Sequence, residues 1–254
     1  MKNILVIGKK SFLAKAFDFL NKKNFYSHNE LKKIDYNKYD KLILLSMPKK
    51  YFKKKEKNFF FEKKILKKFE NKEIHFMSTS KLYPMRFLCT EKVRKLNTSS
   101  PYTYNKYMVE KIIKKYTKKF FIYRLSNVFL KKVYSKNTFF DLLYKNYYKN
   151  KKIEFDISLK SQKDFITINS LKIIFKMMLK SRNEYGIYNI GSEKGIDMSK
   201  VISLFLDKKV LKDARKTNIR TKIVNQTLNI SKITNLLNIN KNDIIRETIK
   251  ELKR

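Results

Sequence analysis

The chain has 254 residues, 43% of them hydrophobic and 14% aromatic, enough for a sizeable core; this excludes wholesale disorder and fits one large α/β unit, alone or with a small appendage. Lys and Arg number 61 against 22 Asp and Glu, a formal charge of +39 that invites anionic partners. Only eight of those cations are arginines, the residue favoured for base reading and bidentate phosphate contacts. The lysines run through the whole chain beside abundant Asn, Ile, Phe and Tyr, the residues of adenine- and thymine-rich codons. No nucleic-acid partner is therefore expected, and an anionic small substrate suits the charge equally well.

The opening "NILVIG" is a Val/Ile/Leu-rich run ending in glycine, the pattern of a buried parallel strand. "SFLAKAFDFLNKK" then places Phe12, Leu13, Ala16, Phe17 and Leu20 at helical spacing, and "NFYS" (24–27) adds a short strand. "YDKLILLS" (39–46) reads as a strand, "NFFFEKKILKKFENK" (58–72) as an amphipathic helix and "EIHFMSTS" (73–80) as another strand. A helix over "YNKYMVEKIIKKYTKK" (104–119) leads into a strand over "FFIYRLSNVF" (120–129). Strands alternating with helices predict a doubly wound parallel sheet, a Rossmann-like α/β fold. Later, "NTFFDLLYKNYYKN" has helical spacing and "KKIEFDIS" reads as a strand. "DFITINSLKIIFKMMLK" joins an extended piece to a helix, "GIYNIGS" is a strand, and the tail from "LNISKITN" holds two small helices.

Cys89 is the lone cysteine, so no intrachain disulfide forms and a reducing compartment is expected. The apolar run Ile4–Ile7 is too short for a signal-peptide core, and no stretch nears the ~18 apolar residues of a membrane span. A cytoplasmic chain without membrane association is the expectation. Two histidines and one cysteine offer no metal-ligand spacing, and His75, in mid-strand, reads as a packed histidine.

The turn "GKKSFLA" after the first strand is a candidate pyrophosphate site, where glycines admit close approach of backbone N–H groups and a following helix adds its dipole. Gly8 takes the first place of a GxxGxxG pattern, Ser11 the second and Ala14 the third; Lys9, Phe12 and Leu13 complete the turn. The competing reading is an ordinary strand–turn–helix with Ser11 as N-cap. Further on, Tyr102 and Lys106 stand i and i+4 on one helical face. An ammonium there is expected to pull the phenol pKa down, so that the tyrosine can pass a proton to or from a carbonyl or alcohol oxygen. Thr79, at the carboxyl end of a central strand, would hydrogen-bond the same oxygen. Taken alone, the pair could equally be two solvated helix residues.

Together, the glycine turn, "STSKLYP" (78–84) and "YTYNK" (102–106) resemble the extended short-chain dehydrogenase/reductase family, and within it the nucleotide-sugar epimerases, dehydratases and ketoreductases. "YRLSNVF", "KDFITIN" and "GIYNIGS" resemble further family segments in family order, matching Arg124, Asn127, Val128, Asp164, Phe165 and Ile166, with Lys163 where the family has arginine. The resemblance implies Thr79, Tyr102 and Lys106 as catalytic residues, with Glu110 matching the family's glutamate four after the lysine. It implies a cofactor lined by Gly8, Lys9, Ser11, Phe12, Leu13, His28, Asp35, Leu45, Ser46, Tyr102 and Lys106, and a sugar nucleotide touched by Thr79, Ser80, Asn127 and Lys163. Residues 1–130 would form the dinucleotide-binding core. Residues 131–254 would be mostly a small substrate-binding region interleaved with the last core elements, in one compact unit, and a homodimer would be usual.

Departures refine the expectation. The family's dehydratases carry Asp-Glu after the threonine, whereas Ser80 and Lys81 stand here, which favours keto-sugar reduction or epimerisation. At the second strand's end, His28 and Asn29 replace the acid that holds ribose hydroxyls, and Lys9, Lys32 and Lys33 are near in sequence. NADP(H) is therefore expected over NAD(H). Asp35 matches an adenine-contacting aspartate, or caps its loop. Two alternatives stand beside this: a family member that binds without catalysis, suggested by Ser11, whose Cβ crowds the turn, and a basic RNA-associated protein, suggested by the +39 charge.

Overall fold

The computed structural model describes residues 3–45, 47–129, 152–155, 158–181, 184–205, 215–218 and 222–253. In chain order the elements are β1 (Ile4–Ile7), β2 (Phe25–Tyr26), β3 (Lys41–Leu44), α1 (Phe60–Lys68), β4 (Glu73–Thr79), α2 (Pro101–Tyr116), β5 (Phe120–Leu125) and β6 (Asn127–Phe129). They continue with β7 (Lys152–Phe155), β8 (Gln162–Thr167), α3 (Ile168–Met178), β9 (Gly186–Ile190), β10 (Gly195–Asp197), α4 (Met198–Phe205), β11 (Arg215–Asn218), α5 (Ser231–Leu237) and α6 (Lys241–Lys253). Contacts group the chain into two units, Met1–Pro84 with Glu91–Leu125 and Lys172–Ile190, and Met85–Thr90 with Ser126–Leu171 and Gly191–Arg254.

The first unit is built on a six-stranded parallel sheet in the order β2-β1-β3-β4-β5-β9, a Rossmann-like arrangement. Its central strands are buried beyond their first residues and largely apolar, as a parallel sheet covered on both sides requires. Leu5, Ile7, Leu42, Leu44, Ile74, Phe76 and Ile122 share one core with Ile65 and Leu66 of α1 and Val109 and Ile113 of α2. Each such side chain contributes about 1.5–3 kcal/mol on full burial. Elsewhere in this unit the rings of Phe17 and Phe175 stack at 4.5 Å, and Phe175 meets Tyr123 edge-on at 5.2 Å. Helix α2 begins where Ser100 Oγ accepts the Thr103 amide at 3.1 Å and Pro101 fills the first helical position. Tyr102 consequently sits in the first turn, with Lys106 one turn later.

Two expected elements come out differently. Residues 11–23 form no continuous α-helix but a 3₁₀ turn, Phe12–Phe17, and a second, Lys22–Asn24. The side chains of Ser11 and Asn21 each accept a nearby amide, from Leu13 at 3.3 Å and Lys23 at 3.0 Å, and so compete with helical hydrogen bonding. The expected strand 120–129 breaks at Ser126: β5 ends at Leu125, and β6 pairs with β8 in the second unit. The expected helix at 137–150 lies outside the described residues.

The second unit contains β8 flanked by antiparallel β10 and parallel β6, and a parallel pair of β7 with β11. The short β10 and β11 and helix α4 add elements that the sequence pattern did not mark. Asp164 is a hub of this unit. Its Oδ1 accepts from the Ser192 amide at 2.7 Å and hydroxyl at 3.0 Å, and its Oδ2 from the amides of Glu193 and Leu228, both at 3.2 Å. Burial pushes the Asp164 pKa up to about 6 despite those donors. Gly191 is required beside it, because a Cβ there would lie 2.4 Å from Asp164 Oδ2.

Candidate active site

Carboxyl ends of parallel strands are where open α/β sheets receive ligands. Thr79 closes β4 at that edge, buried, its Oγ1 accepting the Lys81 amide at 3.3 Å. Tyr102 is half-buried close by. Burial raises the phenol pKa, and the neighbouring Thr79 hydroxyl acts in the opposite direction. Lys106 is buried, with its Nζ 5.9 Å from the centroid of the Tyr102 ring and 4.7 Å from that of Phe76. That ammonium donates to the carbonyl of Met77. Burial lowers the Lys106 pKa to about 7, while the carboxylates of Glu110 and Glu62 partly offset the fall. The three sequence-derived candidates thus meet, but the direction expected for the phenol is reversed, because burial outweighs the Thr79 hydroxyl.

The surroundings hold groups that spacing alone did not single out. The ring of Phe52, exposed in the short helix Lys49–Phe52, stacks on Tyr102 with centroids 4.9 Å apart and planes 19° from parallel. Asn105, next to Lys106, clamps that loop. Its Nδ2 donates to the carbonyls of Tyr51 and Lys54, both at 2.9 Å, and its Oδ1 accepts the Glu56 amide at 2.8 Å. Tyr51 donates to the buried Glu62 carboxylate at 2.6 Å. Glu110 accepts from Ser78 at 2.5 Å and from Arg124 Nη2 at 2.8 Å. Lys81, exposed, carries its Nζ 6.0 Å from the Tyr102 centroid.

At the glycine turn, Gly8 has φ 117°, a conformation open to glycine at little cost. Much of the turn's donor capacity is used internally: the amides of Gly8 and Lys9 bond the Tyr26 carbonyl at 2.8 and 3.1 Å, and the Ser11 amide bonds Gly8 at 2.7 Å. Ser11 is the cap of the six-residue 3₁₀ turn holding Phe12 and Leu13, so no long helix points its dipole at the turn. At the end of β2 the His28 ring lies 4.5 Å from Phe61. The nearest acid in sequence, Glu30, is engaged by the Ser27 amide at 2.7 Å and hydroxyl at 2.6 Å, and its pKa is lowered by those bonds with help from Lys9 and Lys33. Asp35 accepts the Asn37 amide at 3.2 Å and pairs with Lys38 at 3.4 Å, the geometry of a loop cap. Leu45 is buried, its amide on the Ile7 carbonyl at 3.0 Å; Ser46 lies outside the described residues.

Residues 62–191, just over half the chain, match the NAD dependent epimerase/dehydratase family. The chain belongs to that family. No curated protein matches it in sequence. Among solved structures, MoeE5 in complex with UDP-glucuronic acid and NAD superposes with a TM-score of 0.76 at 12% identity, covering 98% of this chain and 97% of that one. UDP-glucuronic acid 4-epimerase from Bacillus cereus, in complex with UDP-glucuronic acid and NAD, gives 0.74 at 17% identity, covering 99% of each chain. TunA, an NAD-dependent NDP-hexosamine 5,6-dehydratase of tunicamycin biosynthesis, gives 0.74 at 14% identity over 98% of this chain and 97% of that one.

The family's name implies a dinucleotide, and the first unit has places for it. Gly8, with no side chain, and Lys9 follow the carboxyl end of β1, and Tyr102 and Lys106 stand beside the last residues of β4. These residues fit such a group through backbone approach and lysine charge rather than through a helix dipole. The remaining sequence-derived residues are divided between the two units. Ser80 is buried in the short turn after Thr79, its carbonyl accepting the Tyr83 amide at 2.9 Å. Asn127 and Lys163 belong to the second unit, where Asn127 donates to the Asp164 carbonyl at 2.8 Å and Lys163 Nζ lies 3.9 Å from Met85 Sδ. His75 is packed as expected, between Tyr123 and Glu73, each at 2.8 Å. Among the described residues no helix is long and apolar enough to cross a membrane.

Proposed function

We propose that this chain is an NAD(P)-dependent enzyme that reduces or epimerises a nucleotide-activated sugar, working in the cytoplasm in surface-polysaccharide or deoxysugar synthesis. The observation that carries this is the meeting of Thr79, Tyr102 and Lys106 at the carboxyl end of β4 in a chain of this family. The nicotinamide cofactor, when bound, gives or takes the hydride at the sugar carbon. Tyr102 holds or receives the proton on that carbon's oxygen, and Thr79 orients the same oxygen through its hydroxyl. Lys106 keeps a donor on the Met77 carbonyl and, when protonated, places beside the phenol a positive charge that favours phenolate.

Both reactions need proton movement at oxygen only. Eliminating water would need a further base at carbon, and the carboxylates near Lys106 are already engaged, Glu62 by Tyr51 and Glu110 by Ser78 and Arg124. With Lys81 beside Tyr102, this disfavours dehydration, although the dehydratase TunA has the same fold. For the cofactor, the engaged Glu30 leaves His28, Asn29 and nearby lysines to meet the ribose, which favours NADP(H) over NAD(H). MoeE5 and the B. cereus epimerase bind NAD, so NADH is the direct comparison. The inward-bonded amides of the glycine turn favour a second reading, a module that binds a nucleotide or partner without chemistry.

The test is Tyr102→Phe. Cofactor-dependent turnover of a sugar nucleotide falls at least ~100-fold while cofactor binding persists. Turnover within a few-fold of wild type would overturn the assignment.

A further inference from the structure

A charged group beside the Tyr102 ring that the chemistry above leaves without a task is Lys81. Its ammonium stands 6.0 Å from the centroid of the Tyr102 ring, about as near as that of Lys106 at 5.9 Å. The two lysines differ in what surrounds them. Lys106 is buried, donates to the Met77 carbonyl and feels the carboxylates of Glu110 and Glu62. Lys81 is exposed, and among the described residues it is found in no ion pair. Its backbone is fixed all the same, the amide donating to Thr79 Oγ1 at 3.3 Å within the turn Ser80–Leu82. A cation anchored to the catalytic threonine, and paired with no carboxylate among the described residues, fits an anion brought by the ligand.

Two anions are available on a sugar nucleotide: the diphosphate, and an acid group on the sugar ring. The diphosphate is attached at the anomeric carbon. When the reacting carbon lies across the ring, the diphosphate is a ring's width from Tyr102, whereas a substituent beside the reacting carbon lies next to it. We propose that the substrate's sugar is a hexuronate, and that Lys81 receives its carboxylate while Tyr102 addresses the hydroxyl or keto oxygen on the neighbouring ring carbon. This rests on the sugar-nucleotide function proposed above and narrows it to an acidic sugar. Phe52 completes the pocket's character: its exposed ring on Tyr102 offers an apolar wall to the C–H face of the sugar, so the carboxylate is directed to Lys81.

The experiment is calorimetric titration of the NADPH-bound protein with UDP, UDP-glucose and UDP-glucuronic acid. Because the whole chain is strongly cationic, Lys64→Met, which removes one exposed lysine of α1, serves as the control for bulk charge. Wild type is expected to bind UDP-glucuronic acid about tenfold more tightly than UDP-glucose, the size of one charge-assisted hydrogen bond. Lys81→Met brings that ratio near one, Lys81→Arg restores it, and Lys64→Met leaves it unchanged; the affinity for UDP alone is the same in all four proteins. An equal ratio in wild type and Lys81→Met overturns the assignment to Lys81. Equal weakening of all three ligands in Lys81→Met assigns the lysine to the diphosphate and overturns it too. If neither sugar nucleotide binds wild type, the sugar-nucleotide function itself fails, and the hexuronate with it.

Discussion

The two ends of β4 each carry a cluster of buried ionisable groups, and they are finished differently. At the amino end, Glu73 accepts from Lys41 at 2.5 Å and bonds His75 at 2.8 Å, His75 bonds Tyr123 at 2.8 Å, and Lys41 also reaches the Leu179 carbonyl at 3.2 Å. Every charge there has a counter-charge. At the carboxyl end, Lys106 is buried with one carbonyl and two rings in reach, and burial moves its pKa far from the ordinary lysine value. Stability alone gives no reason to bury a lysine so poorly matched, and such perturbed groups gather at functional sites. One end of the strand is completed by the protein; in the function proposed above, a ligand completes the other.

Substitutions can break this contrast. The largest expected effect is at the amino end: Glu73→Ala strands Lys41 and His75 in a largely dry site and lowers stability by about 2–4 kcal/mol in denaturant unfolding, with turnover per folded molecule unchanged. Next, Asn105→Ala removes three hydrogen bonds to the loop bearing Phe52 and costs about 1–3 kcal/mol; unlike Glu73→Ala, it also raises KM, because the wall over Tyr102 loosens.

The pH response distinguishes the two ends again. The folded pKa of Lys106 is about 7, below the ordinary 10.5, so between these values the unfolded chain holds a proton that the folded protein has released. Stability therefore rises with pH across that window, by at most about 1.4 kcal/mol per pH unit, and Lys106→Met abolishes this part of the rise. An identical slope in Lys106→Met would place the wild-type pKa near that of the unfolded chain. The smallest effect is at Phe52: Phe52→Ala loses one ring stack, on the order of 0.5–1.5 kcal/mol in unfolding, and lowers kcat/KM about three- to tenfold. Phe52→Tyr, which keeps the stack, restores it.

Much of this arrangement was legible in the sequence because it rests on local rules. The strands β1, β3 and β4 are short apolar runs, and the Ser100–Pro101 start fixes the phase of α2, so Tyr102 and Lys106 fall on one face. Thr79 follows from where β4 stops. The 3₁₀ turn at Phe12–Phe17 was misread because its apolar spacing is helical, while the side chains of Ser11 and Asn21 divert the backbone bonds. The break at Ser126 was hidden because "FFIYRLSNVF" is uniformly strand-like; only the pairing of β6 with β8 separates its halves. Phe52 meets Tyr102 from a loop whose path depends on long-range hydrogen bonds to Asn105, which no periodicity encodes. The direction of the Tyr102 pKa was missed for a related reason, since spacing gives proximity to a charge but not the depth of burial.

The decisive experiment is fluorescence titration of NADPH, with NADH in parallel, into the wild-type protein and Tyr102→Phe. The expected result is saturable binding to both proteins, tighter for NADPH, with oxidation of the bound cofactor by a keto-sugar nucleotide in wild type alone. Absence of binding by either cofactor, or equal oxidation by the two proteins, would contradict a hydride-transfer site at the carboxyl end of β4.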